Sequence, residues 1–164
     1  MSGRLRSVSL LVCLVAALPM QAAAQRAAAT PPGPVLFICE HGTVKSLLAM
    51  SLFDRYAKEV GLNMRAVSRG TAVDSVVPPW MQSSLAADKF VLGTWRPQAL
   101  QTADLISASY VVSFDVPASV SNAAKAPRVR WDSLPSVSQN YSAGRDAISS
   151  RVRRLVDSLK RAHR

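Results

Sequence analysis

Hydrophobic positions along the chain change their spacing several times, and each change marks an element. Val35-Leu36-Phe37-Ile38 is an unbroken apolar run that follows Pro31-Pro32-Gly33-Pro34, the pattern of a strand buried on both faces, with Cys39 closing it. Apolar residues then recur at Leu48, Leu52, Phe53, Tyr56, Ala57 and Val60, the spacing of one helical face, and Gly61 supplies a helix stop. Met64, Ala66 and Val67 predict a second strand ending at a turn, Ser68-Arg69-Gly70-Thr71. The unit is βαβ, whose crossover is right-handed in nearly all folds.

Further along, Pro78-Pro79-Trp80 opens a helix predicted through Phe90, and Pro97 to Leu105 is a second, weaker helical segment. Ser109 to Phe114 is rich in β-formers and predicts a third strand, and Arg128 to Trp131 a shorter fourth. From Arg145 to about Ala162 a closing helix puts Ile148, Val152, Leu155, Val156 and Leu159 on one face and Arg151, Arg153, Arg154, Lys160 and Arg161 on the others. Alternating strands and helices predict a three-layer α/β/α sandwich around a four-stranded parallel sheet.

Composition adds a boundary at the N-terminus. Arg4 and Arg6 precede an uncharged run from Ser7 to Pro19, then Ala22-Ala23-Ala24. These are the basic, apolar and small-residue parts of a secretory signal, too short to serve as a permanent membrane anchor. The expected organisation is a signal peptide over residues 1–24, a flexible leader over 25–33 and a single domain over 34–164, exported to a periplasm or secreted. Cleavage after Ala24 removes Arg4 and Arg6 from a formal charge of +10, leaving +8. That excess concentrates in the closing helix without interleaved aromatics, so it reads as a solvated face rather than a nucleic-acid surface. No membrane anchor is expected after cleavage, and the oligomeric state is left open. Of the two cysteines, only Cys39 would stay in the mature chain, either as a buried hydrophobe or as a reactive thiol. Two His without a Cys or carboxylate cluster predict no metal site and no cofactor.

Candidate chemistry falls in Cys39-Glu40-His41-Gly42-Thr43-Val44-Lys45-Ser46, between the first strand and the first helix. Open α/β sheets bind ligands there, and helix-terminal amides attract anions. A thiol so placed meets the helix start, the loop amides and the Lys45 ammonium, surroundings that favour thiolate. Residues 40–45 are therefore the expected anion-binding loop. Glu40 would repel phosphate unless it points away or pairs with Lys45, and His41 is either a proton carrier or a polar loop residue.

Cys39, five residues, a basic residue and Ser46, followed by Ser68-Arg69-Gly70-Thr71, Thr102-Ala103-Asp104-Leu105-Ile106 and Tyr141 with the closing helix, resemble the low-molecular-weight protein tyrosine phosphatases and the related thiol-dependent arsenate reductases. The resemblance implies strand order 2-1-3-4, a phosphate-like oxyanion or phosphomonoester as ligand, Cys39 as nucleophile and Ser46 as its hydrogen-bond partner. Two positions depart. Lys45 stands where the family has Arg, and an ammonium lacks the planar, two-pronged grip of a guanidinium. Ser136-Val137 stands where the family has the Asp-Pro that protonates the leaving group, with Asp132, four residues earlier, as a substitute acid only if the loop is displaced. The resemblance and the departures together imply a divergent, exported family member with weak hydrolysis of phosphate monoesters through a phosphocysteine. The alternatives are a non-catalytic module binding an oxyanion or partner and, third, arsenate reduction.

Overall fold

The computed structural model describes residues 32–163. The expected signal peptide and most of the leader lie outside the described residues.

Four strands, β1 (Val35–Cys39), β2 (Ala66–Gly70), β3 (Tyr110–Ser113) and β4 (Arg128–Arg130), form one sheet in the order β2-β1-β3-β4. All three pairings are parallel, with Phe37 opposite both Ser68 and Val112. β1 is central, and its alternation divides the core. Val35, Phe37 and Cys39 face a large apolar cluster shared with α1 (Lys45–Val60), α2 (Pro79–Ala87) and α4 (Tyr141–Ala162). Leu36 and Ile38 face a smaller one with Leu105 of α3 (Thr102–Ser107), Val111 and Val116. Every β1 side chain is buried, which is why the run has no polar position. The expected three-layer architecture and strand order are those observed.

Phe37, Phe114 and Trp131 stack at the end of the sheet, with ring centroids 5.7–6.3 Å apart. They fix the C-terminal ends of β1, β3 and β4 together, the edge at which the candidate loop lies. α1 packs on α4 and ends at Gly61, whose φ of 68° is the left-handed cap expected of a glycine.

Several element boundaries differ from the sequence expectation. Ser68, Arg69 and Gly70 continue β2 rather than turning, because Phe37, Ile38 and Cys39 offer them ladder partners. Pro97 to Gln101 is extended rather than helical: the Gly70 amide donates to the Gln98 carbonyl and the Leu100 amide to the Gly70 carbonyl, so this segment covers the outer edge of β2 and the helix starts only at Thr102. α2 stops at Ala87, short of Phe90, with Lys89 at a positive φ of 61°. α4, by contrast, starts four residues before Arg145, where the Asn140 side chain accepts from the Ala143 amide.

Candidate functional site

Residues 40–44 leave the end of β1 and enter α1 within one tight loop. Its shape is set by contact with β2. Gly42 has a φ of 72°, and a Cβ there would lie 2.8 Å from the Gly70 amide nitrogen; a Cβ on Gly70 would lie 2.8 Å from the His41 carbonyl carbon. Only two glycines facing each other allow this approach. The Cys39, Glu40 and His41 carbonyls accept from the Thr71, Ala72 and Asp74 amides, so the loop carbonyls are spent on the segment after β2. Among the described residues the His41, Thr43 and Val44 amides donate to no acceptor, consistent with the start of a helix.

Cys39 is buried, and its Sγ accepts from the Gly42 amide at 3.2 Å and lies 3.0 Å from Ser46 Oγ. Ser68 Oγ is 2.8 Å from Ser46 Oγ and 2.9 Å from the Gly42 carbonyl oxygen. Ser68 has one hydroxyl proton and the Gly42 carbonyl can only accept, so the Cys39–Ser46–Ser68 chain is anchored on that carbonyl. All three polar groups sit in the protein interior, where such a chain holds the thiol in one position. Cys39 nevertheless lines an open cavity of about 340 Å³, together with Glu40, His41, Val44 and Lys45 of the loop.

The same cavity receives Ser136, which the family resemblance put at the acid's position, and residues that sequence spacing did not single out. Phe114 and Asp115 follow β3, Asp74 follows β2, and Ser136 and Ser138 come from the loop before α4. Their sign in the sequence is position at the carboxyl ends of parallel strands. The Lys45 ammonium pairs with the Asp115 carboxylate, whose other oxygen accepts from the Ser133 amide at 3.1 Å. Asp74 accepts from Thr43 Oγ1 at 2.6 Å and lies 3.1 Å from His41 Nδ1. Glu40 is exposed, with its carboxylate 3.8 Å from His41 Nε2, so it does not neutralise Lys45.

The loop residues are thus brought together in two ways. Cys39, Glu40, His41, Val44 and Lys45 face the cavity, while Gly42, Thr43 and Ser46 support it from behind. Asp132 is not brought there. Its carboxylate accepts from Arg130 and from the Asp115 amide, and the hydrogen bond from Arg130 holds its pKa below the ordinary carboxylate value. Ser136 does reach the rim, where its hydroxyl bonds to that of Ser138 at 3.1 Å. Arg69 is not a substitute for the missing guanidinium either, since both of its prongs hold Asp104 at 2.9 Å. Among the described residues no cluster of His, Cys, Asp or Glu could hold a metal, and no helix is long and apolar enough to cross a membrane.

A parallel sheet in this order, with a thiol where β1 meets the α1 N-terminus, is a phosphatase-type architecture that solved structures share. A thioredoxin-dependent arsenate reductase of Corynebacterium glutamicum superposes with a TM-score of 0.67 at 23% identity, over 82% of this chain and 65% of that one. This chain therefore spans just under two thirds of that reductase's length. YfkJ of Bacillus subtilis gives 0.73 at 16% identity, over 83% and 99% of the two chains, and a low molecular weight phosphotyrosine phosphatase of Vibrio cholerae 0.65 at 18%, over 78% and 97%. At these identities the likeness is one of fold. No curated protein sequence matches the chain. The family model for low molecular weight phosphotyrosine protein phosphatase matches residues 34–131, and the chain belongs to that family. Phosphatase-type hydrolysis is the family's chemistry, and phosphate oxyanions and phosphomonoesters are what the family binds.

Proposed function

We propose that this protein hydrolyses phosphate monoesters slowly, through a phosphocysteine on Cys39, and that it does so outside the cytoplasm. The observation that carries the reading is the Cys39 sulfur, 3.2 Å from the Gly42 amide and 3.0 Å from the Ser46 hydroxyl, on a residue that lines an open cavity. A thiolate there is the nucleophile, and the α1 N-terminus and loop amides are the electrostatic support for the three outer oxygens. Lys45 gives a single point charge, and its pairing with Asp115 reduces the pull on a dianion. Glu40, Asp74 and Asp115 add three carboxylates to the lining, so an incoming phosphate is held mainly by main-chain donors. Slow turnover is the consequence of that balance.

The test is aryl-phosphate turnover by the purified chain across about pH 5 to 8, a range bracketing the ~6.5 of free imidazole. Turnover abolished by Cys39→Ser supports the reading, and no turnover anywhere in the range overturns it. Export rests on Arg4, Arg6 and the apolar run after them, and fractionation of producing cells tests it.

A second reading is a non-catalytic module that keeps the cradle and binds an oxyanion or a partner. Ser136 at the rim and the Lys45–Asp115 pair favour it. Calorimetry with phosphate, sulfate and arsenate decides, and absence of heat with all three refutes it. Arsenate reduction ranks third, because Cys39 is the one free cysteine among the described residues and the electrons would have to come from an external thiol.

A further inference from the structure

Hydrolysis of an unactivated phosphate ester needs a proton for the departing oxygen, and the groups around this cavity are unequal to the task. Ser136 carries a hydroxyl, which is too weak an acid near neutral pH. Asp132 lies away from the cavity, bound to Arg130. Asp115 faces it but is held by Lys45 and by the Ser133 amide. Of the remaining lining groups, Asp74 is held by the Thr43 hydroxyl and faces His41, and Glu40 points to solvent beside the ring; the imidazole of His41, two residues after the nucleophile, is the side chain suited to both giving and taking a proton near neutral pH.

Its setting is that of a positioned ring. Nδ1 lies 3.1 Å from Asp74 Oδ1, and the second oxygen of Asp74 is fixed by the Thr43 hydroxyl at 2.6 Å. The backbone completes the clasp, since the Asp74 amide donates to the His41 carbonyl at 3.1 Å. With the ring charged, the Asp74 carboxylate beside Nδ1 holds that side of it as an ion pair and leaves Nε2 as the working nitrogen. The two carboxylates facing the ring are Asp74 and Glu40. Glu40 is 3.8 Å from Nε2, an ion-pair distance once the ring is charged but beyond hydrogen-bond reach, so the Nε2 proton has no acceptor there. About half of the His41 side chain is exposed, and it lines the same cavity as Cys39.

We infer that His41, oriented by Asp74, is the general acid and base of this site in place of the missing carboxylic acid. The inference rests on the phosphocysteine reading above. In the first step a lone pair of the Cys39 sulfur forms the S–P bond, the P–O bond to the leaving group breaks, and that oxygen takes its electron pair and the Nε2 proton of His41. In the second step a water oxygen bonds to phosphorus, its proton passes to the now neutral Nε2, and the P–S bond breaks with its electron pair returning to sulfur. The net reaction is phosphate ester plus water to alcohol plus inorganic phosphate, and His41 ends protonated as it began. Asp74 acts through His41 and is a positioning residue.

The test compares leaving groups in the first turnover, with the full purified chain. Phenyl phosphate needs the proton, whereas 2,4-dinitrophenyl phosphate departs without it. His41→Gln is expected to slow burst release of phenol about 100-fold, the usual scale of general-acid assistance, and to leave burst release of dinitrophenol within about threefold. Phosphate inhibition unchanged in His41→Gln shows that the cradle is intact. Asp74→Asn is expected to show the same leaving-group dependence at about one tenth of wild-type phenol release, and to add nothing in the double variant, as expected for two groups acting as a unit. Equal losses with both esters, or no loss with either while Cys39→Ser is inactive, overturn the inference and leave the phosphocysteine reading standing. Absence of any Cys39-dependent release from the wild-type chain overturns both.

Discussion

Gly70 lies outside the candidate loop, yet its substitution by alanine should damage the site more than most changes within it. A Cβ at this position would stand 2.8 Å from the His41 carbonyl carbon, 2.9 Å from the Gly42 nitrogen and 3.0 Å from the Glu40 oxygen. All three are backbone atoms, so no flexible side chain can swing aside. Reaching the 3.4 Å at which ordinary contact begins requires a displacement of about 0.6 Å. β2 cannot supply it, because the Gly70 amide and carbonyl are both held by the segment from Gln98 to Leu100. The loop must therefore move, and with it the Gly42 amide, which is already 3.2 Å from the Cys39 sulfur. Overpacking of this kind costs about 1–3 kcal/mol, and each kcal/mol lowers the melting temperature by about 4 °C for a domain of this size. Melting should fall by roughly 4–12 °C, and phosphate should lose its ability to protect Cys39 from alkylation. Gly61→Ala is the control. No atom lies within 4 Å of its Cβ, but φ is 68°, so melting should fall through backbone strain while phosphate protection persists. Wild-type melting and full protection in Gly70→Ala would refute the account of how the loop is shaped.

Ser46→Ala removes the hydroxyl 3.0 Å from the sulfur; at about 1.5–3 kcal/mol for a hydrogen bond to a charged partner, aryl-phosphate kcat should fall about 10- to 100-fold, and an unchanged kcat counts against a role for that contact. Lys45→Arg replaces a point charge with a two-pronged donor able to serve Asp115 and an anion together, so the phosphate concentration giving half-protection of Cys39 should drop about tenfold; no drop would place the anion elsewhere. Asp132→Asn should leave aryl-phosphate turnover within threefold of wild type, measured at saturating substrate, because Asp132 does not face the cavity. The stability cost of that change should be under about 1 kcal/mol at pH 7 for so accessible a pair. The hydrogen bond from Arg130 lowers the folded-state pKa of Asp132, so its contribution is present above the unfolded value of ~3.9 and disappears as pH falls through the folded one. Urea unfolding of both proteins at pH 7 and in acid should show the difference close.

The layers and the position of the thiol were legible in the chain because they depend on patterns of near neighbours. An unbroken apolar run between breakers can only be buried on both faces, and β1 is. Spacing by three and four from Leu48 to Val60 gave α1, and the glycine after it gave the stop. The extended path of Pro97 to Gln101 was not legible. Its backbone partners are on Gly70, nearly thirty residues earlier, and local preference carries no information about an edge strand in need of cover.

The candidate site divides along the same line. Sequence by itself determined that Cys39 ends a buried strand at a helix start and, through the family resemblance, that Lys45 and Ser136 stand where phosphatases of this family have Arg and Asp. Only the tertiary structure decided that Lys45 meets Asp115, that Asp132 turns to Arg130 and away from the cavity, and that Asp74 is clasped to His41. The Lys45 and His41 pairings join segments far apart along the chain, and the sheet's parallel register, not sequence spacing, brings the strand ends to one edge. Charges that share that edge are chosen by the fold, whereas the order of residues fixes only which element each one rides on.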